Sequence, residues 1–323
     1  MQTIEFGIRS CRKANMRKIC AGFALAVGLL IGALLTHATA ATNWPIPPGV
    51  KTVEVNGYPI AYIEAGGGVP VILLHGIFVD PRYFAAQTAE FSKTHRVIAV
   101  SLRHHYPEHW NGKEGAFSVN QHAVDVAALI RQLNLGKVHL LGHSRGGGVA
   151  LTVAQQAPEL IRTLILEDPF GLVGPLLADD SVSRTNISGI AQLAEFVRGN
   201  LEGGDRRTTA QTAWNLAARN PGAWDYVGPE MQQIITDNIG TMATKTPVEA
   251  LEISCDDIRK FAFPVLILHG ERSQKLFSDM GAAIRACKTD IAPATIIPNA
   301  AHIMHRDNAP FFNKAVLDFL QRN

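Results

Sequence analysis

The stretch Val138-His-Leu-Leu-Gly-His-Ser-Arg-Gly-Gly147 constrains the chain most. An apolar run (Val138, Leu140, Leu141) meets Gly142-His143-Ser144-Arg145-Gly146, and an alanine-containing helical run follows. The spacing predicts a strand, a sharp turn and a helix, with Gly-x-Ser-x-Gly on the turn. A serine there takes strained backbone angles and lifts its hydroxyl clear of the main chain. Side chains at 142 and 146 would collide across such a turn, hence the two glycines. The backbone amide of Arg145 would then face the place where an oxyanion forms, reinforced by the positive N-terminal end of the helix.

The surrounding pattern extends this unit in both directions. Thr52–Val55, Asn56-Gly57 and Tyr58–Glu64 read as a β-hairpin. Val69–Leu74 is a continuous apolar strand that ends in His75-Gly76-Ile77-Phe78, and Arg96–Val100 is another. Unbroken apolar strands are expected where both faces of a parallel sheet are covered. Ser118 to Leu133 reads as a helix opened by a Ser118/Gln121 capping box. Arg162–Asp168 is a strand closed by Pro169. From Phe170 to Phe261 no strand-like run occurs, and short helical patterns such as Ile190–Val197 and Thr212–Ala218 take over. The βα rhythm then resumes with Pro264–His269, a helix near Met280–Ala286, a last strand at Ala294–Ile297, and an amphipathic helix opened by Pro310. The expected class is α/β: a mostly parallel sheet flanked by helices, residues 41–169 and 262–323. A helical lid, residues 170–261, is inserted before the penultimate strand. Such a lid would cover the carboxyl edge of the sheet, where ligands bind in open α/β sheets.

The N-terminus carries a different kind of signal. Arg17-Lys18, an apolar stretch from Ile19 to Leu35 and Ala38-Thr39-Ala40 have the order of a secretory leader over residues 1–40, cut after Ala40. The competing reading is an uncleaved membrane anchor, since the apolar stretch is nearly long enough to span. Of the chain's 30 basic and 28 acidic residues, five and one lie in this leader, leaving 25 and 27. The formal charge of +2 therefore becomes −2, which gives no footing for nucleic acid. Cys11 and Cys20 belong to the leader. Cys255 and Cys287 remain, a pair that an exported chain could bond.

On His75-Gly76, Gly142-His-Ser-Arg-Gly146, Pro264-Val-Leu-Ile-Leu-His-Gly270 and Ile297-Pro-Asn-Ala-Ala-His302, the chain resembles the α/β-hydrolase fold superfamily, in particular its lidded serine esterase and dehalogenase-like group. The likeness covers roughly residues 51–323. It implies Ser144 as nucleophile, His302 as base, and an oxyanion hole from the amides of Ile77 and Arg145, whose side chains would be free to vary. In the family a glycine commonly precedes the base; here it is Ala301. An aspartate is usual three residues past Gly270, but here Ser273 stands there, and serine cannot carry the charge that stabilises an imidazolium. Some lidded relatives carry their acid after the preceding strand, and Asp168 matches that position best. Glu167 and Glu271 are the alternatives. Phe78 is either pocket wall or core.

No cofactor is expected. His104, His105 and His109 have a spacing that invites a metal, but no supporting ligand set accompanies them, and a pocket-rim loop is the simpler expectation. The implied activity is that of an exported, periplasmic or secreted, serine hydrolase acting on small to medium carboxylic esters. C–C bond hydrolysis, cofactor-free peroxidation on the same triad, and a non-catalytic binding protein on this fold are the competing readings. A serine at the elbow argues against dehalogenase or epoxide-hydrolase chemistry, which uses an aspartate there.

Overall fold

In the computed structural model, the strands β3 (Pro70–Leu74), β4 (Arg96–Val100), β5 (Val138–His143) and β6 (Ile161–Glu167) form the buried middle of one sheet. The structure describes residues 42, 44–113, 115–172, 176–177, 180–244, 249–251 and 253–323. The expected leader, with Cys11 and Cys20, lies outside them. Among the described residues no helix is long and apolar enough to cross a membrane.

The hairpin β1 (Val50–Val55) and β2 (Tyr58–Ala65) adds the antiparallel edge, and β7 (Val265–Gly270) and β8 (Thr295–Ile297) continue the parallel part on the other side. The strand order is β1-β2-β4-β3-β5-β6-β7-β8. Alternate residues of one strand serve opposite faces, as strand geometry requires. Ile72 and Leu74 join one apolar cluster together with Leu140, Leu164 and Ile267. Val71 and Leu73 join another together with Leu141, Ile165 and Leu268.

The first cluster is covered by α2 (Val119–Gln132), α3 (Arg145–Gln156) and α8 (Lys275–Cys287). The second is covered by α1 (Ala85–Phe91), α9 (Met304–Asp307) and α10 (Ala309–Gln321). Ser118 caps α2 by accepting from the Gln121 amide at 2.9 Å. The Gln121 side chain does not complete the expected box; it turns forward to Asp125 at 3.0 Å, an i,i+4 partner on the same face. A complete box instead opens α7 (Cys255–Arg259), between Ser254 and Asp257.

Between β6 and β7 the chain is helical as expected: α4 (Ser181–Leu201), α5 (Arg206–Ala218), α6 (Ala223–Asn238) and the short α7. Val197, Ala213, Trp224 and Ile234 of these helices belong to the same apolar cluster as Phe78 and Phe84. Polar contacts reinforce the join. Arg82 is held by Asp80 and by Asp237 at 2.6 and 2.7 Å, and the Asn238 side chain donates to Asp80 at 2.6 Å. The helical segment is therefore tied to the chain that follows β3, near the carboxyl ends of the strands.

Cys255 and Cys287 are bonded, with Cα atoms 4.9 Å apart. The bond joins the start of α7 to the end of α8, away from the carboxyl end of β7 that lies between them in sequence. Its ends lie 32 positions apart in sequence, and it contributes about 3–4 kcal/mol on the chain-entropy account.

Candidate active site

Three strand ends carry the residues expected to react. Ser144 follows β5, Asp168 follows β6, and His302 follows β8, so parallel strands deliver all three to one sheet edge. The backbone at this edge is strained in a concentrated way: Phe78, Ser144 and Asp168 have φ of 65°, 53° and 39°. Positive φ is costly for residues with a Cβ and persists where the surroundings over-determine it. At Ser144 the surroundings are specific. Its amide donates to the Glu167 carbonyl at 2.9 Å, and its carbonyl accepts from Phe170 at 3.1 Å. A Cβ at Gly142 would lie 2.3 Å from the Gly146 carbonyl oxygen, and one at Gly146 the same distance from that of Leu74. Gly142 is thus fixed by the closeness of the turn itself, and Gly146 by the approach of the turn to the end of β3.

Asp168 is the carboxylate that the structure brings to His302. Its Oδ2 accepts from His302 Nδ1 at 3.1 Å and from Ser273 Oγ at 2.6 Å, while Oδ1 accepts from His269 Nδ1 at 2.8 Å. Burial alone would raise the Asp168 carboxyl, but the hydrogen bonds from His269, His302 and Ser273 outweigh it and hold the group below its ordinary value. The other two candidate acids are engaged elsewhere. Glu271 caps the backbone of Asn299 at 2.7 Å in an exposed turn. Glu167 accepts from His305 Nδ1 at 2.6 Å. Ser273, at the position where the resemblance leads one to expect an acid, is instead a donor to Asp168. Sequence reasoning missed that role, and it missed His269.

The imidazole of His302 is about one-third exposed and stacks on Phe277, with centroids 4.1 Å apart. Its Nδ1 donates to Asp168, which leaves Nε2 as the basic nitrogen of the neutral ring. The loop is held from the elbow as well. His143 Nε2 lies 2.9 Å from the His302 carbonyl oxygen; a carbonyl only accepts, so this nitrogen carries the proton. Burial drives the His143 pKa down to about 3 and keeps that ring neutral. Ala301, in the place of the usual glycine, donates its amide to Asp307 at 2.8 Å.

On the other side of the elbow the Arg145 side chain is not free to vary. It is buried, with Nη1 2.8 Å from His122 Nδ1 and its guanidinium 4.7 Å from the Phe117 ring centroid. Arginine has no acceptor, so His122 accepts and is neutral, and burial pushes His122 well below its ordinary pKa. The guanidinium itself is brought down to about 10 by burial. Ile77 is partly buried, between the apolar clusters on either side. Phe78 is buried in the core, with its ring edge-on to Trp214 of α5 at 5.8 Å.

His104 and His105 are engaged within their loop, and the ring of His109 lies 6.1 Å from that of Tyr106. His104 stacks on Trp110 at 4.1 Å and meets Glu108 at 3.1 Å, while buried His105 bonds the Leu102 carbonyl at 3.0 Å. Among the described residues the group able to hold a metal is instead His143, Glu167 and His305, whose ligand-type atoms lie within 4.8 Å of one another. Three of the group's atoms, His143 Nε2, His305 Nδ1 and Glu167 Oε1, are engaged in the hydrogen bonds His143–His302 and His305–Glu167, while His143 Nδ1, His305 Nε2 and Glu167 Oε2 are buried with no hydrogen-bond partner among the described residues.

Known proteins carry the same architecture. The pattern of the alpha/beta hydrolase fold matches residues 69–309. The chain is 24 % identical to 2-(acetamidomethylene)succinate hydrolase of Mesorhizobium japonicum over 84 % of its length and 94 % of that protein. It is 25 % identical to the sn-1-specific diacylglycerol lipase ABHD11 of Danio rerio, over 79 % of this chain and 80 % of that one. Among solved structures, a thermophilic esterase from Thermogutta terrifontis superposes with a TM-score of 0.62 at 22 % identity, covering 88 % of this chain and 98 % of the other. The relatives are hydrolases, the matched region takes in every residue of the strained edge described above, and the chain belongs to the alpha/beta hydrolase fold family.

Proposed function

We propose that the protein is an exported serine hydrolase that cleaves small to medium carboxylic esters. The observation that carries this reading is the hydrogen bond from His302 Nδ1 to Asp168, on the same sheet edge as a strained Ser144. A hydroxyl is a weak nucleophile at neutral pH and needs a base to take its proton. In the proposed cycle His302 Nε2 takes the Ser144 proton as Oγ attacks the ester carbonyl. The amides of Ile77 and Arg145 receive the oxyanion; removing one such donor costs about a hundred- to a thousand-fold in rate. The imidazolium, stabilised by Asp168, then returns its proton to the departing alcohol. Water attacks the acyl-enzyme by the same route in reverse, and no cofactor enters. The helices between β6 and β7 act as the lid, with Trp214 facing Phe78 beside the oxyanion loop.

Export rests on the basic, apolar and Ala-x-Ala order of residues 17–40 and on the Cys255–Cys287 bond, which suits an oxidising compartment. The mature chain would begin at Ala41, which N-terminal mass spectrometry of exported material tests. The catalytic reading is tested with a fluorophosphonate probe and an acyl-chain-length series of esters. Wild type should label and turn over; Ser144→Ala should fold, fail to label and lose turnover. Undiminished turnover by Ser144→Ala would sink the reading.

A further inference from the structure

Two consecutive carboxylates at the end of β6 each take a histidine from the segment after β8. Asp168 takes His302; Glu167 takes His305. The second pair plays no part in the proton transfers proposed above, yet both residues are completely buried. Glu167 Oε1 accepts from the His305 ring at 2.6 Å and from the His305 amide at 3.3 Å. The main chain of the same glutamate accepts the amide of Ser144. One residue therefore grips the nucleophile's turn with its backbone and the base's segment with its side chain. The His305 carbonyl is held in turn by Gln87 Nε2 at 2.8 Å, and its ring is edge-on to Tyr83 with centroids 4.3 Å apart. Two residues of polypeptide separate His305 from His302, so a shift of the α9 entrance is passed to the base.

We infer that Glu167 and His305 form a second, buried carboxyl–imidazole pair that positions His302 against Asp168 and Ser144. This rests on the serine-hydrolase reading. The pair acts through its hydrogen bonds, so it is a positioning device and touches no substrate. Rate is sensitive to such placement: a misplacement of about 1 Å can cost a hundred-fold. Burying these groups unpaired would also be unfavourable, which explains why each finds the other.

The experiment measures ester turnover for His305→Phe, which keeps an aromatic ring against Tyr83 and removes the donor, and for His305→Asn, whose amide can still donate to Glu167. His305→Phe should lower kcat about tenfold or more with KM within about threefold, and His305→Asn should stay within about threefold of wild type in both. The decisive readout is non-additivity. In an Asp168→Asn background, where the base is already misheld, His305→Phe should cost less than about threefold. Glu167→Met removes the acceptors from the other partner and reads the same quantity should His305→Phe not accumulate as folded protein. Wild-type kcat in the donor-lacking variants, or the same loss with and without Asp168, overturns the inference. Ser144→Ala runs alongside. If it is inactive while His305→Phe behaves as wild type, only the inference fails; if it is active, the serine-hydrolase reading fails and the inference falls with it.

Discussion

The pockets around Asp168 and Glu167 treat the same functional group in opposite ways. Both carboxyls are buried and adjacent in the chain, and both meet a histidine. Asp168 receives three side-chain donors, from His302, His269 and Ser273, and its pKa is held down although burial opposes this. Glu167 has one oxygen served by His305 and the other without a partner, and burial raises it to about 7. The difference teaches that donor supply, more than burial, decides which of two neighbouring carboxyls can face an imidazolium. Asp168 is prepared to remain charged. Glu167 is prepared to keep its proton up to near neutral pH, and it suits a role in holding the chain.

The largest effect should come from taking the charge away from the pocket built for it. Making the acid of a serine-protease triad an amide costs about ten-thousand-fold, because the wrong tautomer is then held. Asp168→Asn should lower kcat on the order of a hundred-fold or more. Glu271→Gln, which alters only an exposed cap on Asn299, should change kcat by less than about twofold. Steady-state kinetics on one ester compares the two, and equal losses would erase the distinction between the acids.

This much was legible from sequence because it rests on short-range pattern. The elbow glycines, the apolar strands and the carboxylate at the end of a strand are each set by a few adjacent residues. The departure at Ser273 was the signal that pointed to Asp168, the carboxylate that meets His302. What supports the acid was not legible. His269, Ser273 and His305 find their carboxylates across 101, 105 and 138 positions of sequence. Nothing local distinguishes a histidine that ends a strand or enters a helix from one that holds a carboxylate. The Arg145 side chain shows the same limit. Its backbone role follows from its place after Ser144, whereas its burial against His122 and Phe117 depends on where α2 packs.

A smaller effect should follow from thinning the donor set of Asp168. Ser273→Ala removes the 2.6 Å hydrogen bond to the same Oδ2 that accepts from His302. Hydrogen bonds to charged groups are worth about 1.5–3 kcal/mol, but only the part that differs in the transition state reaches the rate. A loss of about three- to tenfold in kcat is expected, with KM little changed. The geometry also predicts a rescue. In the Asp168→Asn background, Ser273→Asp places a carboxylate beside His302 and should restore part of the activity. In the wild-type background the same change sets two carboxylates against each other and should lower it. Rescue without the native acid and damage with it, measured as kcat for the four proteins, would locate the acid's pocket by function.

Between the two pockets the smallest effect on rate should come from Glu167→Gln, and the sign of its effect on stability separates the pockets most sharply. Asp168 has a lowered pKa, so the stability it contributes is present above the unfolded carboxyl pKa and is lost as pH falls through the folded value. Glu167 is raised to about 7, so its contribution is present below the unfolded value of about 4.3 and is lost as pH rises towards 7. Several buried histidines add a slope of the opposite hand. His75, His122, His143 and His305 are all depressed by burial, and each stabilises the fold above the unfolded histidine pKa of about 6.5 and ceases to as pH falls. The wild-type curve is therefore a sum, and the difference from Glu167→Gln isolates one part of it. Glutamine keeps an acceptor for His305 and cannot ionise. Its kcat should stay within about threefold of wild type. Its Tm relative to wild type should climb steadily as pH is raised from about 4.5 to 7, because only the wild type must then pay to keep a proton on a buried carboxyl. Thermal scans of both proteins across that window measure it. A flat difference would mean that Glu167 titrates as an ordinary carboxylate, and a falling one would place it in the same class as Asp168.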